Sequence, residues 1–120
     1  MLDHVSLNVS NPAKAKEFYS KALAPLGYSV TKEYDGGFGI QADGGSSVWT
    51  VKAKVEEPVH LGFRVNDRKQ VDAFYKAAIA AGGKDNGKPG IREKYASDYY
   101  AAFVLDPDGN NVEAVCHGAK

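Results

Sequence analysis

An internal repeat is the feature of this sequence that most restricts its fold. The segments HVSLNVSNPAKAKEFYSKALAPLGY and HLGFRVNDRKQVDAFYKAAIAAGGK align without a gap at a constant offset of 56 residues. The alignment places His4 over His60 and Val9 over Val65. Because self-similarity of this kind indicates one structural unit used twice, the chain is predicted to contain two modules of the same design.

Each repeat has the pattern of a strand, a helix and then further strands. An alternating apolar run is followed by Asn11 or Asp67, which are favoured at helix starts, and then by a helical pattern that ends at glycine. The turns DGG and DPDG mark later hairpins. The prediction is an α+β fold of two tandem βαβββ modules, one over about residues 1–52 and the other over about 59–117, within a single domain of residues 1–120. The predicted packing stripes of the helices are Ala15, Phe18, Tyr19, Ala22 and Leu23 in the first and Val71, Phe74, Tyr75, Ala78 and Ile79 in the second.

Composition and charge exclude several classes of partner. Acidic and basic side chains balance at 15 each, so nucleic acid and anionic membrane surfaces are disfavoured. No apolar run reaches the roughly 20 residues that span a bilayer, and the N-terminus lacks a leader pattern, so we expect a cytoplasmic protein. The single cysteine, Cys116, cannot form an internal disulfide and is expected in the core.

Strand alternation places three candidate metal ligands on the faces opposite the apolar side chains. His4 and His60 open equivalent strands, and Glu113 lies at the centre of the last strand. A lone strand histidine is more often hydrogen-bonded or solvated than a ligand. Two matched histidines and a carboxylate, however, have the composition of a two-His, one-carboxylate site, which leaves coordination positions open for substrate. His117, at the end of the same strand, is expected at the surface.

Aligning the last strands of the two modules places Trp49 opposite Glu113. Pairing AAFVLD with NNVEAV across the DPDG turn, with Gly109 in a bulge, places Phe103 beside Glu113 on the same face. The segment Arg92 to Tyr100 is either a substrate loop or a polar connector.

The tandem βαβββ pattern, the histidine that opens each unit, EFYSKALAPLGY and the final DPDGNNVEAV together resemble the vicinal oxygen chelate superfamily. This superfamily contains glyoxalase I, extradiol dioxygenases, fosfomycin-resistance transferases and bleomycin-resistance proteins. The resemblance covers essentially the whole chain. It implies that each curled sheet forms half of a barrel-like cup, built within one chain or by exchange across a homodimer. It also implies that the ligand positions of the family fall on His4, Trp49, His60 and Glu113.

The resemblance implies a divalent ion (Fe, Mn, Ni or Zn) held by His4, His60 and Glu113, with catalytic residues beyond this set unassigned. Glyoxalase I has a carboxylate where this chain has Trp49, so lyase/isomerase or dioxygenase chemistry on another small molecule is expected. A metal-poor binding module that sequesters an aromatic drug or metabolite is the main alternative, and a purely structural domain is the third. The expected pocket residues are Trp49, Phe103, Tyr99, Arg64 and Ser6.

Overall fold

The computed structural model describes residues 2–118 and contains two four-stranded sheets, each with one long helix. The first module has β1, α1, a short 3₁₀ helix and β2 to β4, and the second has β5, α2 and β6 to β8. The sheet orders are β1-β4-β3-β2 and β5-β8-β7-β6, so the α+β prediction with two βαβββ modules is confirmed. The bounds are β1 His4–Val9, α1 Pro12–Ala22, 3₁₀ helix Ala24–Leu26, β2 Tyr28–Tyr34, β3 Gly37–Ala42, β4 Ser47–Lys52, β5 His60–Arg64, α2 Arg68–Ala80, β6 Lys84–Ile91, β7 Tyr99–Leu105 and β8 Asn111–His117.

The two sheets have the same register. In the parallel pairs, His4 lies opposite Ser47 and His60 opposite Asn111. In the antiparallel pairs, Gly39 lies opposite Trp49 and Phe103 opposite Glu113. Trp49 and Glu113 are therefore structurally equivalent positions, as the sequence alignment predicts.

Both helices begin at the predicted capping residues. The side chain of Asn11 accepts a hydrogen bond from the Lys14 amide at 3.1 Å, and Asp67 accepts one from the Gln70 amide at 2.9 Å. The predicted stripes are largely buried, but Ile79 near the end of α2 is exposed. Within residues 2–118, no helix is long and apolar enough to cross a membrane.

One hydrophobic core serves both modules. Each helix packs on its own sheet, and α1 packs against α2. Tyr28 of β2 meets Phe63 of β5 edge to face at 5.4 Å, and the Tyr19 hydroxyl of α1 donates to Asp106 in the β7–β8 turn at 2.5 Å. Cys116 is buried in this core, as predicted.

The β7–β8 turn has the predicted bulge. Gly109 has φ +84, its amide donates to the Asp106 carbonyl at 3.0 Å, and the Asp106 amide donates to the Asn110 carbonyl at 3.0 Å. This is the pattern of a type I turn followed by a residue in the left-handed region, which glycine adopts without steric cost. The turn sets the register that places Phe103 beside Glu113.

Candidate functional site

The candidate site lies on the second sheet, on the strand face directed away from α2. Glu113 lies at the centre of β8, between Gly62 of β5 and Phe103 of β7. His60 lies two residues before Gly62, on the same face because strand side chains alternate. Gly62 has no side chain there, and a Cβ added to it would lie 3.7 Å from Glu113 Oε1. The glycine therefore places no side chain of β5 directly beside the carboxylate.

Glu113 is buried, with its side chain 4% exposed, and both of its carboxylate oxygens are hydrogen-bonded. Glu113 Oε1 lies 2.8 Å from His60 Nε2, and Oε2 accepts a hydrogen bond from the Tyr99 hydroxyl. A buried carboxylate is costly without such partners. Burial and the contact with Glu113 raise the pKa of Tyr99 to about 12, so the phenol remains a donor at neutral pH.

Aromatic side chains cover the Glu113 group, which consists of Glu113, His60 and Tyr99. Phe103 forms a small cluster with Ala101 and Val115 that is separate from the main core, and its ring lies 6.1 Å from the His60 ring. The Arg92 guanidinium lies 5.4 Å above the Phe103 ring, and the Tyr95 ring lies 4.9 Å from that of Tyr99.

Arg92 and Tyr95 belong to the segment before β7, which the sequence predicts to be either a substrate loop or a polar connector. No sequence pattern marks either residue as part of the site. Their only sequence signal is their position just before the strand that carries Tyr99 and Phe103.

Trp49 occupies the corresponding position of the first sheet in a fixed orientation. Its indole N–H donates to Ser47 Oγ at 2.9 Å, and its ring stacks on Tyr34 at 6.3 Å with an interplanar angle of 25°. Gly39 makes room for the ring, since an added Cβ would lie 2.4 Å from the indole. The first module thus presents a flat aromatic surface where the second presents a carboxylate.

Among residues 2–118, the other predicted site residues, His4, Ser6 and Arg64, make no hydrogen bond or ion pair with Glu113, His60 or Tyr99. His4 is 59% exposed, and its Nδ1 lies 2.8 Å from Asp3 Oδ1. Ser6 and Arg64 are exposed on β1 and β5. His117 is exposed at the end of β8, as predicted, with its ring 5.2 Å from that of Tyr99.

Two side chains of this site, His60 and Glu113, could bind a metal ion. His60 Nε2 and Glu113 Oε1 face each other, and an imidazole nitrogen and a carboxylate oxygen are common ligands of Zn, Fe, Mn and Ni. Among residues 2–118, however, no group of three His, Cys, Asp or Glu side chains is arranged to hold an ion. The chain therefore brings together two of the three predicted ligands, His60 and Glu113, and leaves His4 outside.

The chain matches a known family over almost its whole length. The model of the Glyoxalase/Bleomycin resistance protein/Dioxygenase superfamily matches residues 1–114. No curated protein sequence matches the chain.

Solved structures share the fold. A glyoxalase/bleomycin resistance protein from Albidiferax ferrireducens T118 has a TM-score of 0.84 and 27% identity, with 98% of this chain and 99% of that chain covered. A glyoxalase/bleomycin resistance protein/dioxygenase family enzyme from Burkholderia phytofirmans PsJN has a TM-score of 0.75 and 20% identity, covering 97% and 98%. The family match, the repeated βαβββ register and these folds together lead to one conclusion: the chain belongs to the glyoxalase/bleomycin resistance protein/dioxygenase superfamily.

Proposed function

We propose that this chain is a metal-dependent enzyme that acts on a small oxygenated molecule, with His60, Glu113 and His4 as the metal ligands. The contact of 2.8 Å between His60 Nε2 and Glu113 Oε1 is the observation that carries the proposal. The contact brings together a nitrogen and an oxygen atom that can each bind a metal ion. The Glu113 carboxylate that supplies the oxygen is buried. Burial of a carboxylate is costly unless it is paired and hydrogen-bonded, as Glu113 is with His60 and Tyr99.

The third ligand, His4, must reach the site from elsewhere in the assembly. His4 does not join the other two within one chain, and both histidines are half exposed on edge strands. We propose that the protein is a homodimer and that His4 of a second copy completes each site.

The residues of the chain have separable roles in this proposal. When bound, the ion would polarise neighbouring oxygens of the substrate as a Lewis acid. Tyr99 holds Glu113 Oε2, so that Oε1 remains directed toward His60. Phe103 and Trp49 exclude water and contact the apolar part of the substrate.

The reaction type follows from Trp49. An indole cannot accept a proton from carbon or bind a metal ion as a carboxylate does, so proton transfer of the glyoxalase I kind lacks its second carboxylate. We therefore propose another lyase/isomerase or a dioxygenase activity. Turnover of the methylglyoxal–glutathione hemithioacetal at a usual enzymatic rate, about 1–10³ per second, would contradict this part of the proposal.

Calorimetric titration of metal-free protein with Fe(II), Mn(II), Ni(II) and Zn(II) tests the ligand set. Replacement of His60, Glu113 or His4 by Ala should weaken binding by more than the roughly 10–100-fold that loss of an outer-shell partner costs. His117→Ala is the matched control, because His117 is an exposed histidine on β8, and it should bind as the wild type does. Equal affinities in all four variants would overturn the assignment.

A second candidate function is the sequestration of a planar aromatic molecule without a metal. The fixed Trp49 ring, stacked on Tyr34 and seated over Gly39, favours it. If metal-free protein binds flat aromatic compounds tightly, and if Trp49→Leu abolishes this binding while metals have no effect, this second function replaces the first.

A further inference from the structure

A cavity of about 240 Å³ lies between the first module and β5, and Gly62, the β5 residue paired with Glu113, is part of its lining. It is bounded by the start of β1, the β3–β4 turn and β5. Much of its wall is apolar and belongs to the surface of the shared core, whereas Gly62 and Arg64 come from the face of β5 that also carries His60. The apolar lining residues are Leu2, Val5, Tyr28, Val48, Leu61 and Phe63.

The rim of this cavity is polar and carries the guanidinium of Arg64. Arg64, His4, Ser46 and Ser47 line it. Asp3 already contacts His4. Arg64 is exposed, and within residues 2–118 no carboxylate lies within ion-pair distance of its guanidinium.

We propose that this cavity binds a small carboxylate with an aromatic or branched apolar body, and that Arg64 binds the carboxylate group. The guanidinium matches a carboxylate with two parallel N–H donors, which is the strong form of a charge-assisted hydrogen bond. The edge-to-face pair of Tyr28 and Phe63 offers ring surfaces to the apolar body. The volume is below the roughly 300–1,000 Å³ of drug-sized sites, so the ligand is small. The site does not require a metal ion.

Phenylacetate and its neutral counterpart phenylacetamide, titrated into metal-free wild-type protein, test the proposal. Emission of Trp49 is a second readout beside calorimetry, because Ser47 lines the cavity and accepts the hydrogen bond of the indole. We expect saturable binding of phenylacetate and binding of the amide weaker by about 10-fold or more. Hydrogen bonds to charged groups are worth about 1.5–3 kcal/mol, which corresponds to about 10–100-fold in affinity.

Two arginine variants show whether phenylacetate binding depends on Arg64 itself or only on the net charge of the protein. Arg64→Gln should weaken phenylacetate binding by about 10–100-fold, whereas Arg92→Gln, whose guanidinium lies over Phe103, should leave it unchanged. Equal binding of acid and amide, or unchanged binding in Arg64→Gln, would overturn the proposal. Absence of saturable binding, as would follow if a second copy of the chain covers the cavity, would also overturn it. His4 lines the cavity and is also a proposed metal ligand, so all measurements use metal-free protein, which separates binding at Arg64 from binding of the ion.

Discussion

At the scale of single residues, the position of Glu113 depends on its neighbours as much as on its own strand. A charge in a strand that also supplies core residues needs polar partners, and it has them in His60 and Tyr99. Tyr99 is one of the predicted pocket residues, and its hydroxyl donates to Glu113 Oε2. We propose that this hydrogen bond also holds the carboxylate in place.

The first prediction concerns this hydroxyl. Tyr99→Phe removes the donor to Oε2, which frees the carboxylate to rotate, so metal affinity should fall about 10–100-fold as for other outer-shell partners. Tyr95→Phe is the control, because the Tyr95 ring packs on Tyr99 and the residue is 57% exposed. Calorimetric titration of both variants is the measurement. Equal affinities in the two variants would show that Tyr99 has no such role.

The second prediction concerns Gly39. An added Cβ would lie 2.4 Å from the Trp49 ring, so Gly39→Ala should displace the indole, alter its emission and destabilise the protein by about 1–3 kcal/mol. In Gly62→Ala the added Cβ has an ordinary contact of 3.7 Å, and that variant serves as the control. Chemical denaturation and the emission of this single tryptophan are the readouts. A Gly39→Ala protein with wild-type stability and emission would contradict the seating of Trp49.

At the scale of elements, the β7–β8 turn joins the two modules. Asp106 accepts hydrogen bonds from the amides of Asp108 and Asn110 at 2.8 Å, and from the Tyr19 hydroxyl of α1. Ser10, just after β1, also bonds to Asp108 through its backbone amide at 3.0 Å. The turn therefore sets the hairpin register and also fixes the second module against the first.

The third prediction tests this junction. Tyr19→Phe removes a buried hydrogen bond to a carboxylate and should lower the free energy of unfolding by about 1.5–3 kcal/mol. Tyr100→Phe also breaks a Tyr–Asp hydrogen bond, at 2.7 Å to Asp72, but at an exposed site, so it should cost much less. Denaturation curves of the two variants give the comparison. If the two variants lose similar amounts of unfolding free energy, burial of the Tyr19–Asp106 hydrogen bond does not add to its stabilising effect.

The hydrogen bond between Tyr19 and Asp106 also predicts that the free energy of unfolding depends on pH. Burial, followed by the charge of Asp106, raises the pKa of Tyr19 well above its usual value of 10.0. Its stabilising effect should therefore be fully present below pH 10.0 and should be lost as the pH rises through the higher folded-state pKa, because the unfolded chain ionises first. The difference in free energy of unfolding between the wild type and Tyr19→Phe should therefore narrow as the pH rises above 10.0. A difference that stays constant would contradict the assignment.

The helices and strands could be predicted from the sequence because the repeat and the alternation of apolar side chains indicate the same elements. The repeat offset and the alternation of apolar side chains together specified both modules and the equivalence of Trp49 and Glu113. The alternation could not show that His4 lies apart from Glu113. The relative placement of the modules depends on contacts between them, such as Tyr28 with Phe63 and Tyr19 with Asp106, which no local pattern contains.

At the scale of the whole molecule, the proposed site needs two copies of the chain. If His4 comes from a second copy, a mixture of His4→Ala and Glu113→Ala proteins should form heterodimers in which one site is intact. Mixing after partial unfolding and refolding should restore metal binding that neither variant has alone. A site built within one chain would give no restoration.

The most direct test of the account is the metal content of wild-type protein, purified without chelator or a metal-affinity tag and then incubated with Fe(II), Mn(II), Ni(II) or Zn(II). The account predicts about one tightly bound divalent ion per chain with at least one of these metals, and near-complete loss of that ion in Glu113→Ala. Folded wild-type protein that retains none of the four metals would contradict it.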